Sequence, residues 1–218
     1  MRTTLAVLAL LAPLTLAACG GDDGPTTAID PGSSDDSSSG GGPAGSPMPA
    51  DVPAADGLVA TRMTATVMDT GRPELCLGAV AESWPPQCGG PPILGWTWSE
   101  RDGMFERQGD IRWGDFHVTG RWDGEAFTLE DAVPAALYDA MVPEPEPTPD
   151  PAVDLSEKEL AAIAEEVGGG LAGAQGAYSM DGHVFVDVTY DDGSLQAWCE
   201  AEYGQDVVLV TSALVDVT

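Results

Sequence analysis

The sequence predicts an α+β protein: a small all-β domain, in the form of an OB-like barrel, followed by a domain in which a helix packs on an antiparallel sheet. Three observations carry this. Asp123-Gly124 sits between two runs of alternating hydrophobicity, and such a pair favours a tight hairpin because both turn positions take positive φ. Ser156-Glu157-Lys158-Glu159 has capping-box spacing ahead of an apolar run at helical spacing. Between the two lies Pro-Glu-Pro-Glu-Pro-Thr-Pro-Asp-Pro, residues 143–151. Proline at alternate positions holds the chain extended and removes the donors a ladder needs. The expected organisation is a signal peptide at 1–18, a lipidated Cys19 and Gly/Ser/Asp tether at 19–56, and the β domain at 57–142. An acidic Pro-rich linker at 143–152 and the α+β domain at 153–218 follow.

Residues 58–68 alternate loosely and carry Thr and Val, which predicts one long strand. Residues 93–98 predict another. The runs 116–122 and 125–129 flank Asp123-Gly124 as the two arms of the hairpin. Val118, Trp122, Phe127 and Leu129 are expected to face the core, and Gly120 marks a bulge or a close approach. Asp131 is placed to cap a short helix running to about Met141. Some five strands in this length suit a small barrel, with an open sandwich as the alternative.

In the second domain Leu155 and Leu160 occupy the hydrophobic-staple positions of the predicted helix. Leu160, Ile163, Ala164, Val167 and Leu171 form its apolar face, and Gly168-Gly169-Gly170 are expected to end or fray it. Val184, Val186, Val188 and Tyr190 share one face of a strand at 183–190. A turn at Asp191-Asp192-Gly193 leads into a second strand at 194–202. Tyr203-Gly204-Gln205 turns into a third at 207–217. Alternation puts Cys199 with Leu195, Ala197 and Ala201 on the buried side, as an inert thiol.

The N-terminus reads as an export signal. Arg2 precedes an apolar run at 5–16, too short to span a bilayer as a stable helix. Leu16-Ala17-Ala18-Cys19 then resembles the lipobox of bacterial lipoproteins. The resemblance implies a diacylglyceryl group on the Cys19 sulfur and cleavage just before it. Two acyl chains anchor stably where one does not, so the expected location is the extracytoplasmic face of the cell membrane. Gly, Ser, Asp, Pro and Ala dominate the stretch that follows, which cannot bury enough apolar surface to order itself and is expected to act as a spacer.

Charge narrows the function. The chain of 218 residues has 36 acidic and 8 basic residues, a net charge of −28. Nucleic-acid binding needs clustered Lys and Arg, so it is excluded. An exported protein meets an oxidising compartment, and Cys76 and Cys88 are expected to form a disulfide pinning the Pro-rich loop around Pro85-Pro86. That leaves Cys199 unpaired. No nucleophile elbow, phosphate loop or calcium-loop spacing occurs. His117 and His183 fall inside predicted strands. No catalytic residue, metal ligand or cofactor is therefore assigned. Trp84, Trp96 and Trp98 are candidate ligand contacts: Trp84 adjoins two prolines, and alternation puts Trp96 and Trp98 on one face. The competing reading is that tryptophans fill a small core.

Several motifs resemble uncharacterised exported proteins and lipoproteins of high-GC Gram-positive bacteria. They are Glu74-Leu75-Cys76-Leu77-Gly78, Glu82-Ser83-Trp84-Pro85-Pro86-Gln87-Cys88, Leu94-Gly95-Trp96-Thr97-Trp98, and Arg112-Trp113-Gly114-Asp115 with Val118-Thr119-Gly120. The likeness is looser around Tyr203-Gly204 and Ser212-Ala213-Leu214. It implies an exported, non-catalytic protein and brings no known activity or site. The expected function is a binding or assembly role in the cell envelope, with a membrane contact through Cys19 and an envelope protein or glycan as partner. A glycan- or solute-binding module using Trp84 and the Pro-rich loop is the first alternative. An envelope hydrolase using acidic residues is the second.

Overall fold

The computed structural model describes residues 46–139 and 147–217. The expected signal peptide, Cys19 and the tether up to residue 45 lie outside the described residues, as does the linker's start. The elements run β1 (Val59–Thr61), β2 (Ala65–Asp69), β3 (Pro73–Cys76), β4 (Ile93–Leu94), β5 (Glu106–Gln108), β6 (Ile111–Trp122) and β7 (Phe127–Pro134). Then come α1 (Glu157–Gly170), β8 (Ala174–Met180), β9 (His183–Val188), α2 (Ser194–Tyr203), β10 (Val208–Ser212) and β11 (Leu214–Asp216). The fold is α+β: a large, mainly antiparallel sheet beside a mixed sheet packed by helices.

Strand β6 organises the large sheet. Its length lets it pair with β2 over one half, with β1 and β7 over the other, and with β5 at its start. The expected hairpin is present, β6 to β7, but its turn is wider than a two-residue Asp-Gly turn: Trp122 lies opposite Phe127, and of Asp123 and Gly124 only Gly124 takes positive φ. Its turn is held by Asp123, whose carboxylate accepts from the Glu125 and Ala126 amides at 2.9 and 2.7 Å. Those amides, Ala126 first, hold the Asp123 carboxyl below its usual value. The register slips between Thr119 and Gly120, as expected of a bulge. A Cβ on Gly120 would lie 2.1 Å from the Thr128 carbonyl oxygen, so only glycine fits the crossing.

Four expectations need correction here. The predicted strand 58–68 is two strands, β1 and β2, broken at Arg62-Met63-Thr64. The strand 93–98 stops after Leu94, and Trp98–Arg101 form a 3-10 turn. No helix begins at Asp131, because β7 continues to Pro134 along β6 and only a 3-10 turn, Ala135–Leu137, follows. The OB-like barrel is not closed among the described residues. Between β3 and β4 there is a single bridge, Glu74 to Pro92, and no continuous ladder.

In the smaller sheet β9 is central, antiparallel to β8 and parallel to β10. The expected antiparallel sheet is therefore mixed, since α2 carries the chain across between β9 and β10. The capping box forms: Ser156 Oγ accepts from the Glu159 amide at 3.4 Å, and Glu159 Oε2 accepts from the Ser156 amide at 2.9 Å. Hydrogen bonding by the Ser156 side chain, then its amide, lowers the Glu159 carboxyl pKa. Leu160, Ala164, Val167 and Leu171 are buried as expected. The helix ends at Gly170, within the expected glycine run, and stays helical up to it. Gly168 packs on β8, where a Cβ would meet the Ala177 Cβ at 3.1 Å.

Residues 194–202 are helical, not a strand. Leu195 and Cys199 are buried, whereas Ala197 and Ala201 are exposed. Asp191 starts this helix by accepting the Leu195 amide at 2.8 Å and the Gln196 amide at 3.2 Å.

Two connections cross the expected domain division. Strand β11, from the C-terminal segment, pairs antiparallel with β1, and its Leu214 is buried in the core of the large sheet. The tether expected to reach residue 56 is instead an ordered strap from Ser46. Pro49 accepts from the Ala172 amide at 3.1 Å, and Pro53 accepts from Trp122 Nε1 at 2.9 Å. Val52 packs against both cores. The described end of the Pro-rich linker also docks, with Pro149 O 2.8 Å from His183 Nε2.

Candidate functional site

Of the three candidate tryptophans, Trp96 and Trp98 meet edge-on with centroids 5.2 Å apart, while Trp84 packs on Trp113 instead. Trp98 is buried and donates from Nε1 to Asp69 Oδ2 at 2.8 Å. Arg112 donates to the same oxygen at 3.0 Å, and the Gly71 amide to Asp69 Oδ1 at 2.9 Å. Trp98 is thus a structural residue that satisfies a buried carboxylate. Trp96 packs edge-on to Phe116 at 4.8 Å, beneath the Arg101 guanidinium at 4.0 Å. Trp84 stands alone in being exposed, at 67%, with its ring edge-on to buried Trp113. The Cys76–Cys88 disulfide is formed and holds the loop that carries it.

Cys199 is free and buried. Desolvation, reinforced by Asp191 and Glu200, pushes its thiol up to about 12. His117 stacks flat on Tyr138 at 4.0 Å, with Nδ1 3.2 Å from the Thr61 hydroxyl. His183 has a carbonyl oxygen 2.8 Å from each ring nitrogen, those of Asp181 and Pro149. Among the described residues, no three His, Cys, Asp or Glu side chains converge as a metal site.

A site the sequence did not indicate lies where the two sheets meet. Its floor is the helix-free face of the smaller sheet. The two-residue period turns Val184, Val186 and Val188 toward the helices, so Phe185 and Asp187 face the opposite way. Tyr178 pairs with Phe185, and Gly176 and Thr211 flank Asp187 on either side. The Tyr178 ring stacks on Phe185, with centroids 5.2 Å apart and planes 16° from parallel. Its wall is the β1–β2 turn, fixed by Arg62 Nε donating to Ser212 O at 2.8 Å. Leu77 and Val80, just past the disulfide-bonded Cys76, complete the rim.

The groove is open on one side and has a volume of about 630 Å³, within the ~300–1,000 Å³ usual for small-ligand clefts. Arg62 and Asp187 give it opposite charges, and neither belongs to an ion pair among the described residues. The groove therefore offers an aromatic face, a cationic donor fork and a carboxylate acceptor, with apolar walls. Periodicity could have flagged Tyr178, had β8 been recognised. Nothing in the local sequence pairs it with Arg62. Comparison with protein-family models, with curated proteins and with solved structures finds no match for this chain.

Proposed function

We propose that the chain is a lipid-anchored, extracytoplasmic lipoprotein that binds or assembles a component of the cell envelope without catalysis. The groove between the sheets is the observation that supports binding most directly. It is open, of ligand size, and carries unpaired charges of both signs beside an exposed aromatic ring. The Cys76–Cys88 disulfide fits an oxidising compartment. The lipobox-like Leu16-Ala17-Ala18-Cys19 supplies the anchor.

A second reading has its own support. Trp84, exposed beside Pro85-Pro86, suits a glycan- or solute-binding loop. Both are tested with the full chain carrying Cys19→Ser, which prevents lipidation. It is cosedimented with purified envelopes at low and high salt. Salt-resistant binding lost in Gly176→Leu assigns it to the groove. Loss in Trp84→Ala assigns it to the Pro-rich loop. An absence of binding at either salt would sink both readings. Separately, metabolic labelling with an alkyne fatty acid is expected to mark the wild-type chain and not Cys19→Ser.

A further inference from the structure

The groove's chemistry suggests what class of molecule enters it, on the reading that the groove is the binding site. Tyr178 is 51% exposed. Phe185 covers one face of its ring, which leaves the other face as a supported apolar platform. Next to it on the same face of β8 is Gly176, where an added Cβ would meet nothing within 4 Å. Glycine here leaves a hollow between the platform and Asp187, its cross-strand neighbour. Arg62, Thr64 and Thr211 edge the same space with donors and hydroxyls.

We propose that this groove binds a pyranose chain, one sugar ring seated over Gly176 and stacked on Tyr178, its hydroxyls reaching Asp187 and Arg62. A sugar ring has an apolar C–H face and an equatorial belt of groups that donate and accept. It matches an aromatic platform flanked by one fixed donor fork and one fixed acceptor. Charge favours a neutral ligand. At −28 the chain repels anions, while the Arg62 guanidinium disfavours a cation beside it. A polyhydroxylated neutral molecule uses both charged groups and opposes neither.

The competing occupant is an extended peptide added to the free edge of β8. It would place backbone, not a ring, along the strand and would make little use of the hollow at Gly176. That difference separates the two occupants.

The test uses the full chain carrying Cys19→Ser and saturation-transfer NMR. Its probes are three tetraoses at millimolar concentration: β-1,4-linked glucose, β-1,4-linked N-acetylglucosamine, and α-linked mannose. At least one is expected to show transfer. Gly176→Leu is expected to abolish it by filling the hollow. Tyr178→Ala is expected to weaken binding roughly tenfold, the scale of one lost aromatic contact. Neither change should move the thermal midpoint, because Gly176 has open space and Tyr178 is half exposed. Transfer from no tetraose, or transfer that survives in Gly176→Leu, would overturn the proposal. Envelope binding that Gly176→Leu blocks, without any tetraose binding, overturns the sugar and leaves the groove with another ligand that needs the hollow. Envelope binding that both Gly176→Leu and Trp84→Ala leave intact overturns the hollow as the site and points to a peptide along the β8 edge.

Discussion

Cys199 shows how much one buried side chain reports about its surroundings. It is fully buried against the helix-packed sheet. Burial first, then the charges of Asp191 and Glu200, raise its pKa from 9.0 to about 12. Only the thiolate reacts readily with disulfide reagents. The folded protein carrying Cys19→Ser is therefore expected to leave Ellman's reagent uncoloured at pH 8, while the same chain unfolded should release one equivalent, from Cys199. A native thiol that reacts within minutes would refute this burial. The sign of the linkage follows. The folded state prefers the protonated thiol, so this part of the stability is complete below 9.0 and is lost as pH rises through about 12. Cys199→Ala should flatten the alkaline limb of stability against pH. It should also cost about 1–2 kcal/mol near neutrality through the lost sulfur contacts.

Edges and periods decide the elements. Strand β10 would present an open edge, but Gln196 of α2 closes it. Its Oε1 accepts from the Val210 amide at 2.9 Å, and its Nε2 donates to Val208 O at 3.1 Å. The side-chain amide thus stands in for a neighbouring strand, and unpaired edges are where sheets associate. Gln196→Ala should lower stability by about 1–2 kcal/mol and produce concentration-dependent self-association in light scattering. A strictly monomeric variant would show that the edge is protected by other means. The same helix explains a misreading. Leu195 and Cys199 are four apart, a spacing that fits both a strand face and a helix face. Only the exposure of Ala197 and Ala201 separates the two. Strand β8 was illegible for another reason: Ala-Gln-Gly-Ala-Tyr-Ser-Met has no alternation, because α1 covers one face and the groove opens on the other. The capping box and the β6–β7 turn were legible because each is local. Their side chains bond backbone groups a few residues away. The groove joins Arg62 on one turn to Tyr178 on a distant strand, and no local pattern encodes that meeting.

The whole molecule departs most from the sequence reading, which stopped the two segments at a proline linker. The described residues, from Ser46 onward, belong to one compact unit. The chain's last strand, β11, lies on β1, with Thr61 opposite Leu214 and Val59 opposite Asp216. Leu214 has no exposed surface and packs in the core of the large sheet, with Phe116, Val118 and Trp122. Tyr190, also from the C-terminal segment, joins that core and donates its hydroxyl to Asp216 at 3.0 Å. The strap at Val52 touches both cores at once. An interface that completes one core with residues of the other segment couples their unfolding. Leu214→Ala provides the test. It removes a buried leucine and should destabilise by about 2–5 kcal/mol. Five of the six tryptophans, Trp84, Trp96, Trp98, Trp113 and Trp122, lie in the large-sheet half, whereas Trp198 and both long helices lie in the other. In a Trp198→Phe background the tryptophan band of the near-ultraviolet dichroism therefore follows the first half, and the helical far-ultraviolet signal the second. Coupled halves should melt at one temperature by both probes, and Leu214→Ala should lower both midpoints together. If only the tryptophan signal shifts, the segments fold independently, and a groove built from both of them would open whenever either one unfolds.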